Sequence, residues 1–399
     1  MSWKRIGFIA AALLAAMLLA ACAPAATPAT KSAEPIKIGF LSGIGSPVLA
    51  SYYKEMTPSL ELARDEINAK GGVLGRKIEL VVADDAGKPD QTAINVERLV
   101  TQDKVVAFIS PASAPNVLAA GPLFEKYQVP DMIDIGSTNE LTQQGWKYVF
   151  RTGDNVDQRA NSAINFLKSL SPKPQTVLLL NENRSFGVSS WPSFKKYGEA
   201  AGFKMLGNES YDATALDFKP LLLRAKAQNP DVVIVAGFTN DDILIAKQSA
   251  EIGLKPKVWL GFDGGTSQVE WLEGAGATVE NVFVVHAWYP VKQFPASMDF
   301  AENYRKTHNG KEPQQASVVS YAALYILADA IQRAGSTDGP KLRDALEKTD
   351  LKTAYAQHKF DSNHDNVGFQ NVVVQIQKGK RVAVFPDQYA EGKAIYPIP

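Results

Sequence analysis

The chain has 399 residues, 45% of them hydrophobic and 21% charged. This is an ordinary globular mixture, long enough for two or three domains at about 150 residues each, and it excludes a disordered or collagen-like chain. Its 42 basic and 42 acidic side chains cancel, which leaves no basic face for a nucleic-acid backbone, and its one cysteine excludes internal disulfides and Cys-based zinc clusters, so stability must come from buried apolar area.

That cysteine is Cys22, which follows Lys4, Arg5 and an apolar run from Ile6 to Ala21. The run is shorter than the ~20 residues a spanning helix needs and reads as a signal peptide over 1–21. Leu19-Ala20-Ala21-Cys22 resembles a bacterial lipobox, whose small residues fit the signal peptidase and whose thiol takes the lipid. The expectation is an exported chain anchored through Cys22, on the periplasmic face or the outer surface. Residues 22–35, rich in Ala, Pro and Thr, read as a tether.

From Ile36 onward, short apolar runs alternate with amphipathic ones. Residues 36–41, 78–84, 105–109 and 131–135 are almost continuously apolar, the pattern of buried parallel strands. Leu60, Ala63 and Ile67 recur at helical spacing before Gly71-Gly72, and Ala93, Val96 and Val100 do so before the next strand. The alternation predicts a βαβα unit with a parallel sheet. It then restarts with a helix carrying Ala160, Ile164 and Leu167, strands at 176–181, 231–237, 257–262 and 282–288, and helices near 191–201 and 242–252. A helix over 317–334 has no new strand set to pack on and is expected to return to the first lobe. The fold class is α/β, with two lobes.

The chain resembles the periplasmic leucine/isoleucine/valine-binding protein family, the substrate-binding components of branched-chain amino acid ABC transporters. The resemblance rests on residues 59–111, 135–142, 217–237 and 358–380. The pattern INxxGGxxGRxI is complete as Ile67-Asn68, Gly71-Gly72, Gly75-Arg76 and Ile78. It implies the type I periplasmic binding fold: two Rossmann-like lobes with parallel central sheets, joined by three crossovers near Asp154, His286 and His358. Lobe 1 would then comprise 36–154 and 287–358, and lobe 2 would comprise 155–286 and 359–399. It also implies a small-molecule ligand in the interlobe cleft, an inner-membrane ABC permease as partner, a monomer, and no cofactor or metal.

Ligands in open α/β sheets collect beyond the carboxyl ends of strands, where loops run into helix N-termini. Two such loops are expected in the first lobe, at Ser113-Ala114 before Pro115 and at Ser137, and free N–H groups and hydroxyls there suit a carboxylate. The resemblance places the ligand's α-carboxylate at Ser113, Ala114, Ile135 (through its backbone), Gly136 and Ser137. Ser137 also has Glu140 three residues on, a capping-box spacing that would employ it as a helix cap.

For the ammonium, the resemblance points to Asp241 after the strand at 231–237, with Asp263 in reserve. Asp241 and Asp242 are equally the acidic residues that a helix's first turn favours without any ligand. Tyr52 and Phe186 are candidate aromatic walls, although a lone aromatic is more often core. Two departures widen the ligand class: residues 41–53 lack the family's usual Gly-Pro start, and Phe186 removes a phenol hydroxyl. Other amino acids, amides, and aromatic or aliphatic carboxylates therefore stand beside branched-chain amino acids, and a ligand-sensing role stands beside transport.

An enzyme is not expected. Gly43-Ile44-Gly45-Ser46-Pro47-Val48 begins like a dinucleotide fingerprint but has Val48 at its third glycine. There is no GxxxxGK[ST], GxSxG or HExxH, and the four histidines lack ligand spacing. Asp361 to Asn366 begins like a calcium loop but lacks its glycine and its final glutamate, so a hairpin turn is expected.

Overall fold

The computed structural model describes residues 34–46, 49–110 and 113–399. The expected leader, Cys22 and tether, and Pro47-Val48 of the fingerprint-like stretch, lie outside the described residues.

The first lobe is built from β1 (Ile36–Ser42), α1 (Ala50–Ala69), β2 (Ile78–Asp84), α2 (Pro89–Thr101), β3 (Ala107–Ser110), α3 (Ala114–Tyr127), β4 (Asp131–Ile133) and β5 (Val149–Arg151). Its sheet has the order β2-β1-β3-β4-β5 and every pair is parallel. The string that carries the resemblance is a structural joint. Asn68 at the end of α1 both donates to the Ile78 carbonyl (2.9 Å) and accepts the Ile78 N–H (2.7 Å), fixing where β2 starts. Gly72 has φ +74, and a Cβ there would lie 2.0 Å from the Arg76 carbonyl oxygen, so only glycine fits the turn between them.

The second lobe follows with α4 (Val156–Ser169), β6 (Thr176–Glu182), α5 (Ser185–Ala200), β7 (Lys204–Tyr211), α6 (Lys219–Ala227), β8 (Val232–Ala236), α7 (Thr239–Ile252), β9 (Val258–Gly261), α8 (Val269–Ala275) and β10 (Phe283–His286). The chain then runs through α9 (Pro295–Thr307), α10 (Gln315–Ala334), α11 (Gly339–Glu347) and the short pair β11 (Leu351–Lys352) and β12 (Gln357–His358). It finishes the second sheet with β13 (Val372–Gln377) and β14 (Lys380–Phe385). That sheet has the order β14-β13-β10-β9-β8-β6-β7, with only the β10–β13 and β13–β14 pairs antiparallel. The inner strands of each sheet are buried almost throughout, as parallel strands between two helical layers require. Leu324, Leu327 and Ile331 of α10 share a core with Leu60 and Ile67 of α1 and with Ile36 and Ile38 of β1. Among the described residues no helix is long and apolar enough to cross a membrane.

Three connections join the lobes: residues 152–155, 287–294 and 361–371. The third lies later than His358, because Phe360 still packs edge-on against Phe150 of β5, with ring centroids 5.2 Å apart, and β13 begins only at Val372. The expected hairpin turn is there, closed by a bridge between Phe360 and Asn366. Side-chain amides tie the first and third connections together. Asn366 donates to the Thr152 carbonyl (3.2 Å), Gln158 donates to the Asn366 carbonyl (2.8 Å), and Asn371 donates to the Asp154 carboxylate (2.8 Å).

Candidate functional site

A cavity of about 600 Å³ lies between the lobes, beyond the carboxyl ends of β1, β3, β4, β6, β8 and β9, within the range of small-molecule sites. Tyr52, Ser113, Ala114, Ile135, Ser137, Phe186 and Asp263 are all on its wall, whereas Gly136 and Asp241 are not. Strands pointing the same way bring loops of distant sequence to one edge, and this assembles the wall.

On the first-lobe side, α3 begins at Ala114 with Pro115 in its first turn. The Ser113 hydroxyl donates to Asn116 Oδ1 (2.8 Å). The Asn116 amide nitrogen in turn donates to Asp85 (3.0 Å) and Thr92 (2.8 Å). Ser113 therefore offers a ligand its lone pairs, its one proton being committed. Ser137 differs. The short helix that follows starts at Asn139 and takes no side-chain cap, so the capping-box role is not realised, and the Ser137 hydroxyl has no protein partner among the described residues.

Gly136 sits behind the wall, its carbonyl accepting from Arg151. Arg151 is fully buried. It also donates to the Thr138 carbonyl (2.9 Å), to Thr142 Oγ1 (3.2 Å) and to Asp365 (2.6 Å), pinning the loop on both sides of Ser137 to the third connection.

On the second-lobe side, Phe186 at the start of α5 stacks parallel on Phe262, with centroids 6.0 Å apart, and lies 6.3 Å from Phe238. Tyr52 of α1 is also on the wall. Burial, followed by the negative charge of Asp263, Asp242 and Asp241, raises its phenol well above the ordinary value.

Asp241 turns away from the cavity. Its carboxylate accepts the Phe238 N–H (3.1 and 3.2 Å) and the Tyr211 hydroxyl (3.0 Å), and burial pushes it up to about 6. It closes the first turn of α7, the role an acidic residue takes there without a ligand.

Asp263 is the acid on the wall. It follows β9 with φ 52 and ψ −131, left-handed backbone that a side-chain-bearing residue holds at a cost of about 1–3 kcal/mol. Burial pushes its carboxyl up to about 6, against the pull of Arg159. Arg159, on α4 beside the first connection, pairs with Asp154 through Nε (2.9 Å) and Nη2 (2.7 Å) and with Asp263 through Nη2 (3.0 Å). Burial opposes its charge, but the two aspartates outweigh burial and raise its pKa. The amide of Gln315, at the start of α10, lies against both Asp263 oxygens, and the orientation that satisfies both groups turns its nitrogen toward the carboxylate, donating to the two oxygens at 2.9 and 2.7 Å.

Arg159 and Gln315 both line the cavity, and sequence reasoning missed both. Arg159 adjoins Ala160, the start of an apolar helical stripe, and nothing local shows that its partner is an aspartate 104 positions on. Among the described residues no group of three or more His, Cys, Asp or Glu could hold a metal ion.

A family model described as periplasmic binding protein matches residues 35–392. The Leu/Ile/Val-binding protein homolog 7 of Brucella suis is 31% identical over 401 residues, covering 95% of this chain and 96% of that protein. A branched-chain amino acid transporter substrate-binding protein (LivJ) of Streptococcus pneumoniae, solved with isoleucine, is 26% identical. It has a TM-score of 0.78 and covers 88% of this chain and 100% of that one. A leucine-binding protein (LivK) of Thermotoga maritima shares the fold, with 24% identity, a TM-score of 0.79, and coverage of 88% and 97%. Two sheets dominated by parallel pairs, three connections and a cleft at the strand ends accompany a sequence match over nearly the whole described chain: the protein belongs to the periplasmic binding protein family.

Proposed function

We propose that this chain is the solute-binding component of an ABC uptake transporter, exported and held at the membrane through Cys22, and that its lobes close over a small solute carrying a carboxylate, an amino acid or a close relative. The observation that carries the reading is the two-sided wall of the cleft. Ser137 brings a hydroxyl without a partner among the described residues, and Ala114 starts a helix whose first N–H groups favour negative charge. Opposite them, Phe186 and Phe238 supply an apolar face, and Asp263 with Arg159 a polar pole. The Leu/Ile/Val-binding name of the Brucella relatives and the isoleucine in the Streptococcus structure support a solute of amino-acid size. The chain holds the solute and performs no reaction on it. Hinge closure presents the loaded form to the permease, as a ligand that contacts both lobes favours the closed state.

The test is a thermal-shift screen over amino acids, amides, and aliphatic and aromatic acids, followed by calorimetric titration, since a tight ligand stabilises the native state by mass action. A hydrogen bond to a charged group is worth roughly 1.5–3 kcal/mol. Ser137→Ala should therefore weaken every carboxylate ligand about tenfold or more, and a ligand whose affinity is indifferent to Ser137→Ala overturns this placement of the carboxylate.

A further inference from the structure

The pole of the cleft formed by Arg159, Asp263 and Gln315 has a hydrogen-bonding capacity that can be counted. A carboxylate offers about four lone-pair positions. Asp263 uses one on Oδ1, for Gln315, and two on Oδ2, for Gln315 and Arg159; the neighbouring Ser267 hydroxyl spends its one proton on the Gly264 carbonyl (2.8 Å), so one acceptor position on Oδ1 remains. Arg159 commits Nε and Nη2 to the aspartates. Its Nη1 has no acceptor among the described residues and is not one of the buried atoms sealed away without a partner, and Arg159 is part of the cavity wall. The pole thus presents one acceptor and a pair of N–H donors side by side, with the positive charge of Arg159 next to the negative charge of Asp263.

An ammonium brings three donors and no acceptor. It could use the one open position on Asp263 only by standing beside the guanidinium, with the Nη1 donors left facing a cation. A second carboxylate would bond Nη1 but stand against Asp263. A hydroxyl brings one donor and two lone pairs, which matches the open set without placing like charges together.

We infer that this pole takes a neutral hydroxyl, so that the solute is a hydroxycarboxylate rather than an amino acid, with Arg159 the residue that sets the preference. The inference rests on the carboxylate-binding reading above and narrows it.

Calorimetric titration of the wild-type protein with matched pairs, in which a hydroxyl replaces an ammonium, tests it. Suitable pairs are phenyllactate against phenylalanine, hydroxyisocaproate against leucine, and para-hydroxymethylbenzoate against para-aminomethylbenzoate. The expected result is that the hydroxyl member of at least one pair binds about tenfold or more tightly than its partner, with the ammonium member ahead in none. An ammonium member that binds more tightly in any pair overturns the inference and leaves the carboxylate-binding reading standing. Binding by no member of any pair, nor by any acid of the wider screen, overturns both.

Arg159→Gln supplies a second readout. Removing the guanidinium exposes Asp263 to an ammonium, so the hydroxyl member should lose about tenfold while the ammonium member gains. A folded Arg159→Gln protein with the wild-type preference overturns the role given to Arg159. Should that variant not fold, the wild-type pairs decide alone.

Discussion

Replacing Arg151 by methionine keeps the side-chain stem and removes four donor contacts at once. Arg151 is fully buried and Asp365 is 6% exposed, so the pair lies out of reach of solvent screening. The substitution leaves the Gly136 and Thr138 carbonyls without this donor, and Asp365 with only Asn155 (2.9 Å) and Thr142 (3.0 Å) as side-chain donors. Breaking a buried pair by removing one partner costs about 3–5 kcal/mol, a large share of the roughly 5–15 kcal/mol that holds a protein folded. Urea denaturation followed by tryptophan fluorescence measures the loss. Because the two carbonyls that lose this donor flank Ser137, Arg151→Met should also weaken the ligand about tenfold, although Arg151 does not line the cavity. Adding Asp365→Asn removes the stranded charge, so the double variant should be less destabilised than the sum of the single ones by about 1–3 kcal/mol. A loss below about 1 kcal/mol for Arg151→Met, or strict additivity in the double variant, would refute the claim that this network holds the ligand loop.

Asp134 is fully buried, and burial pushes its carboxyl up to about 8 although Ser320 donates to it. The folded chain keeps its proton up to that pH while the unfolded chain releases it near pH 4. Stability from this group is therefore complete below about pH 4 and falls by about 1.4 kcal/mol per pH unit until about pH 8. Asp134→Asn removes that slope: denaturation curves of the two proteins should lie closest at pH 4 and diverge toward pH 8 in favour of the variant, and parallel curves across this range contradict the assignment. A Cβ at Gly187 would lie 2.2 Å from the Glu182 carbonyl oxygen and 2.8 Å from its nitrogen. Gly187→Ala should thus cost about 1–3 kcal/mol and, by moving the start of α5 that carries Phe186, weaken the ligand in the same titration. Cys22→Ser should shift the protein from the membrane fraction to a soluble or unprocessed form, and a Cys22→Ser protein that still fractionates as acylated refutes the anchor.

The alternation of strands and helices was legible in the sequence because a strand covered on both faces is apolar throughout. Val232 to Ala236 and Val177 to Leu180 are buried at every position, and a run of β-branched and aliphatic residues announces them without knowledge of their neighbours. Two strands without such a run were missed. The edge strand β7, Lys204–Tyr211, is half exposed along its length and carries a register shift against β6. β5 is three residues long and ends in Arg151. Neither presents an apolar run, and each is a strand only because a neighbour supplies its hydrogen bonds. The cleft followed from the sheet's direction, since loops at the carboxyl ends of parallel strands meet at one edge, and this is why seven of the nine ligand residues expected from the sequence stand on one wall.

The choice between Asp241 and Asp263 belongs to the tertiary structure. Both are acids just beyond a buried strand, and sequence pattern treats them alike. Asp241 lies in the first turn of a helix, where the Phe238 N–H just before it and the Tyr211 hydroxyl capture its carboxylate, whereas Asp263 is held in left-handed backbone, and residues from α4 and α10 set its charge. Periodicity reports what a residue does for its own strand or helix. A pole assembled from Arg159, Asp263 and Gln315 exists only once three connections have brought distant segments together, because the energy of a buried charge is set by whichever groups pack around it.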